Sequence, residues 1–169
     1  MRPESSREAF RGKLIRVEVE RWPAGEREIV RHPGACAVVA ITPKGEVLLV
    51  RQLREAVRRE LLEIPAGIFD VDGEGPEECA ARELLEETGY RVRSIEHLCS
   101  IYTTPGFTDE RIELFVARTE ASPVPDHVPE DGVKVVRVPL DAMVSASMDD
   151  TVDAKSLLGI LLARDRFRR

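Results

Sequence analysis

Short runs of alternating apolar and charged residues dominate the chain, and three stretches depart from them into a helical rhythm. Leu14 to Glu20 alternates like a half-buried strand, and Glu26 to His32 repeats the pattern after the Trp22-Pro23-Ala24-Gly25 turn, so the two predict a hairpin. Ala35 to Ile41 is apolar throughout at strand length. Val47 to Val50 follows the Pro43-Lys44-Gly45 turn and completes a second hairpin, buried on both faces, with Arg51 to Arg54 continuing its second strand outward. Arg91 to Ser100 and Ile112 to Arg118 predict strands joined through a Pro105-Gly106 loop. A Pro- and acid-rich loop from Ala121 to Gly132 then leads to a strand at Val133 to Val138.

The first helical stretch runs from Pro76 to Thr88. Proline suits the first helical position, where its missing N–H costs nothing, and Gly89 is the residue type that closes a helix in a left-handed cap. Ala80, Ala81, Leu84 and Leu85 form its apolar stripe. Pro139 to Met148 and Thr151 to Arg166 predict two further helices, the latter capped by Asp150 or Thr151, with Leu157, Leu158, Leu161 and Leu162 facing a sheet. Strands, a helix, more strands and a terminal helix make an α+β plan, a mixed sheet packed between helices.

Composition narrows the function. A chain of 169 residues with 43% hydrophobic content is sized for one domain with a substantial core. No apolar run reaches membrane-span length, and Met1 to Phe10 lacks the apolar segment of a secretory leader, so a cytoplasmic protein without a membrane partner is expected. A net charge of −6 argues against general nucleic-acid binding and for a small substrate. Cys36, Cys79 and Cys99 show no metal-site or disulfide spacing and read as buried small hydrophobes. The chain has no Asn, one Gln (Gln52) and 33% charged residues, a balance that predicts a thermophilic source.

The candidate chemistry lies on the first helix. Glu83, Glu86 and Glu87 fall together on the face beside the apolar stripe, at i, i+3 and i+4. Like charges at that spacing each cost roughly 0.2–0.5 kcal/mol, and acids in the last turns face the negative end of the helix dipole. Arg82 can reach Glu86, but one guanidinium does not neutralise three carboxylates. A solvated acidic face is the ordinary outcome for a Glu-rich helix; the other is a hard divalent cation, Mg²⁺ or Mn²⁺, for which clustered carboxylate oxygens are suited.

The spacing decides between them. The stretch from Gly67 to Tyr90 resembles the Nudix box, in which Gly, five residues, Glu and seven residues precede Arg-Glu-apolar-x-Glu-Glu-x-Gly-apolar. Glu74 and Arg82-Glu83-Leu84-Leu85-Glu86-Glu87-Thr88-Gly89-Tyr90 match that pattern, and the one departure is a sixth residue between Gly67 and Glu74, in the Asp70-Val71-Asp72-Gly73 turn. Glu63-Ile64-Pro65-Ala66-Gly67 before the box, and Pro105 fifteen residues past Tyr90, resemble the ADP-ribose pyrophosphatase-like subfamily.

That resemblance implies a Nudix-type α/β/α sandwich over residues 34–169, with an N-terminal β-hairpin extension over 1–33. It implies Mg²⁺-dependent hydrolysis of the diphosphate bond of ADP-ribose to AMP and ribose 5-phosphate. Two alternatives are another nucleoside diphosphate derivative (NADH, FAD, a sugar nucleotide) and a non-catalytic ADP-ribose sensor. By the same resemblance Glu83, Glu86, Glu87 and the Ala66 carbonyl hold the metal, and Arg82 holds the glutamates. Arg54 clamps the diphosphate, with Arg51 beside it, while Phe107, Asp109 and Glu110 contact the distal ribose. Glu130 activates water from its loop, with Asp131 and His127 as alternatives. Related enzymes are homodimers with swapped N-terminal strands, so Trp22 and Arg27 would complete the partner's adenine pocket; Trp22 packing on its own hairpin is the other reading.

Overall fold

The computed structural model describes residues 1–129, 132–140, 142 and 153–167. Among these residues ten strands and two helices follow in the order β1 (Ser5–Arg11), β2 (Arg16–Trp22), β3 (Gly25–Arg31), β4 (Ala35–Ile41), β5 (Glu46–Arg54), β6 (Arg59–Glu63), β7 (Ala66–Ile68), α1 (Pro76–Thr88), β8 (Val92–Tyr102), β9 (Arg111–Thr119), β10 (Lys134–Pro139) and α2 (Ala154–Phe167). The main sheet runs β10-β5-β4-β9-β8, with β6 beside β5 and β7 beside β4. It is mixed: β4 and β9 are parallel, and the other pairs are antiparallel.

Strand β4 organises the core because it is apolar on both faces, as its unbroken run of seven buried residues requires. Its Ala35, Ala37, Val39 and Ile41 face Ile160 and Ala163 of α2, while Cys36, Val38 and Ala40 face Cys79, Ala80 and Leu84 of α1. Each helix thus covers one face of the same strand, giving the expected α/β/α layering. A fully buried leucine such as Leu84 contributes about 1.5–3 kcal/mol by leaving water. Cys36 and Cys79 are free thiols facing each other across this layer at 2.8 Å, and burial pushes both thiols above their ordinary acidity range.

The N-terminal strands form a separate sheet, β1-β2-β3, rather than the expected hairpin alone. Strand β1 is exposed along its whole length and pairs only through its backbone ladder with β2. The hairpin itself is as expected, with Trp22 opposite Gly25 across the turn. This sheet docks on the main body through β3: the Val30 N–H donates to the Phe107 carbonyl at 2.7 Å, and the Asp109 N–H to Val30 at 3.2 Å.

One expectation near the C-terminus is corrected. Asp153 caps α2, its carboxylate accepting the Ser156 N–H at 2.7 Å, in place of Asp150 or Thr151. The buried face of α2 is Ser156, Gly159, Ile160 and Ala163 in place of the expected leucines, of which Leu157, Leu158 and Leu161 are only partly buried and Leu162 is exposed. Most of the expected Pro139 to Met148 helix lies outside the described residues, and Pro139 itself ends β10.

Candidate active site

Helix α1 spans the predicted residues. Its first turn is closed by Glu78, whose carboxylate accepts the Gly75 N–H at 2.8 Å, and its end by Gly89, whose φ of 77° is the left-handed conformation that glycine adopts freely. Cys79, Ala80 and Leu84 face the sheet, while Ala81 and Leu85 are half-buried. The three glutamates therefore emerge at different depths: Glu86 exposed, Glu83 half-buried and Glu87 buried.

Arg82 is the hub of the outer part. Its Nε and Nη2 grip both oxygens of Glu74 at 2.8 and 2.9 Å, and its Nη1 donates to Glu83 at 2.7 Å and to Glu86 at 3.0 Å. Asp70 lies at 3.4 Å. Glu74 comes from the lengthened turn after β7, where Gly73 takes a φ of 83° and the Glu74 N–H donates to Val71 at 3.2 Å. The extra residue is thus absorbed in the turn, and the bidentate pairing of Glu74 with the helix is intact.

Glu87 lies deeper, against β7. Its only close polar contact among the described residues is the Ala66 N–H, at 3.3 Å. Burial, unrelieved by any cation in contact, pushes its carboxyl up to about 8. Burial also raises Glu83, against the pull of Arg82. Gly67 leaves room for the Glu83 carboxylate against β7: a Cβ there would sit 1.9 Å from Glu83 Cδ. Among the described residues no three His, Cys, Asp or Glu side chains are drawn into a closed coordination shell. The donor set nevertheless fits a hard divalent cation. It is carboxylate oxygen on one helical turn, and its innermost member is buried beside strand β7 with no cation in contact among the described residues.

Arg54, at the end of β5, grips Glu63 with both Nε and Nη2 at 2.7 Å. It stands opposite Arg59 in the ladder and reaches back along the hairpin to Glu63, which stands opposite Val50. Burial opposes ionisation of Glu63, but Arg54 and Lys155 together hold its carboxyl down at about 2. Lys155, from α2, donates to Glu63 at 2.6 Å. Arg51 lies half-buried on the same strand.

The other predicted residues are more widely placed. Trp22 Nε1 donates to Glu20 on its own strand at 2.9 Å, and Arg27 bonds the Glu26 carbonyl at 2.8 Å on an exposed face. Asp109 is engaged internally, accepting the His32 N–H at 2.9 Å and Arg31 at 3.1 Å, and Glu110 accepts Thr103 Oγ1 at 2.6 Å. Phe107 is exposed. Trp22, Pro105 and Asp109 line one cavity of about 350 Å³ between the N-terminal sheet and the Pro105 loop. His127 packs its ring on Gly89 at the end of α1, with Nε2 buried and unpartnered among the described residues. Glu130 and Asp131 lie outside the described residues. Arg31 was missed by the sequence reading, although it joins Glu18, Glu20 and Asp109, as was Lys155.

A mixed sheet between two helices, the shorter one turning a graded set of glutamates toward a strand edge, defines an α/β/α sandwich with a carboxylate site. The NUDIX domain family model matches residues 30–158, and the chain belongs to that family. It is 41% identical over 160 residues to the ADP-ribose pyrophosphatase of Bacillus subtilis (strain 168), covering 89% of this chain and 85% of that protein. It is 46% identical over 114 residues to the methanol dehydrogenase activator of Bacillus methanolicus, covering 64% and 61%. With a GDP-mannose pyrophosphatase of Yersinia enterocolitica it shares 35% identity over 138 residues, covering 76% and 71%. A crystal structure of an ADP compounds hydrolase shares the fold with a TM-score of 0.76 over 99% of this chain and 95% of that one, at 22% identity. The resemblance carried by Gly67 to Tyr90 thus holds at the level of family and fold: the chain is a Nudix hydrolase.

Proposed function

We propose that this chain hydrolyses the diphosphate bond of ADP-ribose, giving AMP and ribose 5-phosphate, with Mg²⁺ (or Mn²⁺) held by Glu83, Glu86, Glu87 and the Ala66 carbonyl. The observation that carries the reading is Glu87, a buried carboxylate that no cation among the described residues touches, on a helix turn that already carries two more carboxylates. The Bacillus subtilis relative supports the substrate. A divalent cation bound there supplies charge to offset the diphosphate and to acidify water. Arg82 holds Glu83 and Glu86 at fixed separation from Glu74, so that the donor oxygens do not have to be gathered from solvent. Arg54, anchored on Glu63, orients the diphosphate, with Arg51 beside it on the strand. Glu130 accepts the proton of the attacking water, with Asp131 and His127 as the alternative bases. Phe107, Asp109 and Glu110 bound the distal ribose.

The N-terminal residues 1–33 serve as an extension that completes the site in a homodimer with exchanged strands, where Trp22 and Arg27 reach the partner's adenine pocket. The full exposure of β1 and the start of the family match at residue 30 support this. A cytoplasmic setting and a thermophilic source accompany the proposal; a melting temperature in the mesophile range of about 45–65 °C would count against the latter. The GDP-mannose pyrophosphatase relatives favour a second reading, a sugar nucleotide in place of ADP-ribose.

The test is a panel of nucleoside diphosphate derivatives, with product phosphate released by a coupled phosphatase, in Mg²⁺ and in chelator. ADP-ribose should turn over fastest, and chelator should abolish the signal. Turnover insensitive to chelator, or none on any member of the panel, would refute the proposal. Sedimentation should show a dimer; a fully active monomer would exclude the exchanged strands.

A further inference from the structure

Lysine is misplaced in the first turn of a helix, where the positive end of the dipole makes a cation unfavourable by about 0.3–1 kcal/mol. Lys155 nevertheless sits there, one residue into α2, behind the capping Asp153. Its ammonium is largely buried and donates both to Asp153 and, at 2.6 Å, to Glu63, 92 residues away in sequence. Glu63 is in turn buried and gripped by Arg54 on its other side.

These three groups are graded in depth. The Glu63 side chain is 2% exposed, Lys155 13% and Arg54 42%, so the arginine is the member that faces outward. A buried carboxylate held by Arg54 alone could turn together with the guanidinium. Lys155, shared between Asp153 and Glu63, fixes the carboxylate from behind, and its two oxygens then fix the direction of the guanidinium fork. Both cations also act on Glu87, so the cluster borders the glutamate site.

The geometry points to Lys155 as a positioning residue for diphosphate binding, acting through Glu63 on Arg54 and tying the terminal helix to the active site. This rests on the proposed hydrolysis of a nucleoside diphosphate derivative. It is distinguishable from that reading, because the wild-type protein must first turn over such a substrate before the variant is compared.

The experiment measures kcat and KM for the wild-type substrate, and calorimetric affinity for its non-hydrolysable analogue, in K155M, K155R, R54A and the K155M/R54A double variant. K155M should raise KM and the analogue's Kd about tenfold while kcat stays within about twofold, the pattern of lost ground-state binding. K155R should recover most of the affinity. In the R54A background the K155M change should have little further effect, because both act through one guanidinium. An unchanged KM in K155M, or an equal loss of affinity with and without Arg54, would overturn the assignment. If K155M does not fold, the charge-neutral pair E63Q/K155M takes its place: it should show the same loss of affinity, and wild-type affinity in that pair would overturn the assignment.

Discussion

Glu63 and Glu87 are both buried, at 1% and 6% exposure, and both border the same site, yet their carboxyls move in opposite directions, to about 2 and to about 8. The difference lies in what touches them. Glu63 meets a guanidinium and an ammonium, whereas Glu87 meets one backbone N–H at 3.3 Å. Burial without a partner makes a carboxylate hold its proton, and burial with two makes it a strong acid. The first is a finished structural ion cluster; the second is the place where the proposed Mg²⁺ would supply the missing charge.

The largest effect should come from removing the charge of the second kind. Glu86→Gln and Glu87→Gln should each lower kcat by orders of magnitude in steady-state assays, with circular dichroism unchanged; near-normal turnover in either would erase the contrast. Next comes stability. Glu63→Gln leaves Arg54 without its anion and Lys155 with Asp153 alone, and chemical denaturation should show a loss of about 1–3 kcal/mol. Glu87→Gln in metal-free protein should cost nothing or stabilise, since it removes a carboxyl that must take up a proton to be buried.

A pH dependence follows, and its sign differs between the two residues. The folded protein holds the Glu87 proton up to about 8, above the ordinary 4.5, so it binds more protons than the unfolded chain between those values. Stability from that group is present below 4.5 and lost as pH rises through about 8. Glu63, lowered to about 2, contributes above 4.5 and loses its contribution as pH falls toward 2. The metal-free melting temperature should therefore decline between about pH 5 and 8.5, and Mg²⁺ or Glu87→Gln should flatten that decline. A decline equal in wild type and Glu87→Gln would show that other groups cause it.

The sequence carried the sheet and α1 well, because β4 is apolar on every position and the box helix has proline at one end and glycine at the other. It did not carry β1, whose Ser5 to Arg11 run contains one large apolar residue and folds only as an exposed edge against β2. Nor did it show the start of α2, since Asp150, Thr151 and Asp153 are all capable caps and only packing selects the last. Within the site, the glutamates were legible through their fixed spacing on one helix. The Glu63–Lys155 pair was not, because no local pattern joins residues so far apart, although a lysine against the helix dipole was a visible hint.

Gly67 leaves Glu83 where no other amino acid would allow it. The seat of that one carboxylate against the neighbouring strand therefore depends on a single hydrogen atom. Any larger side chain at that position would widen the gap and retune the spacing of the oxygens before it touched the chemistry itself.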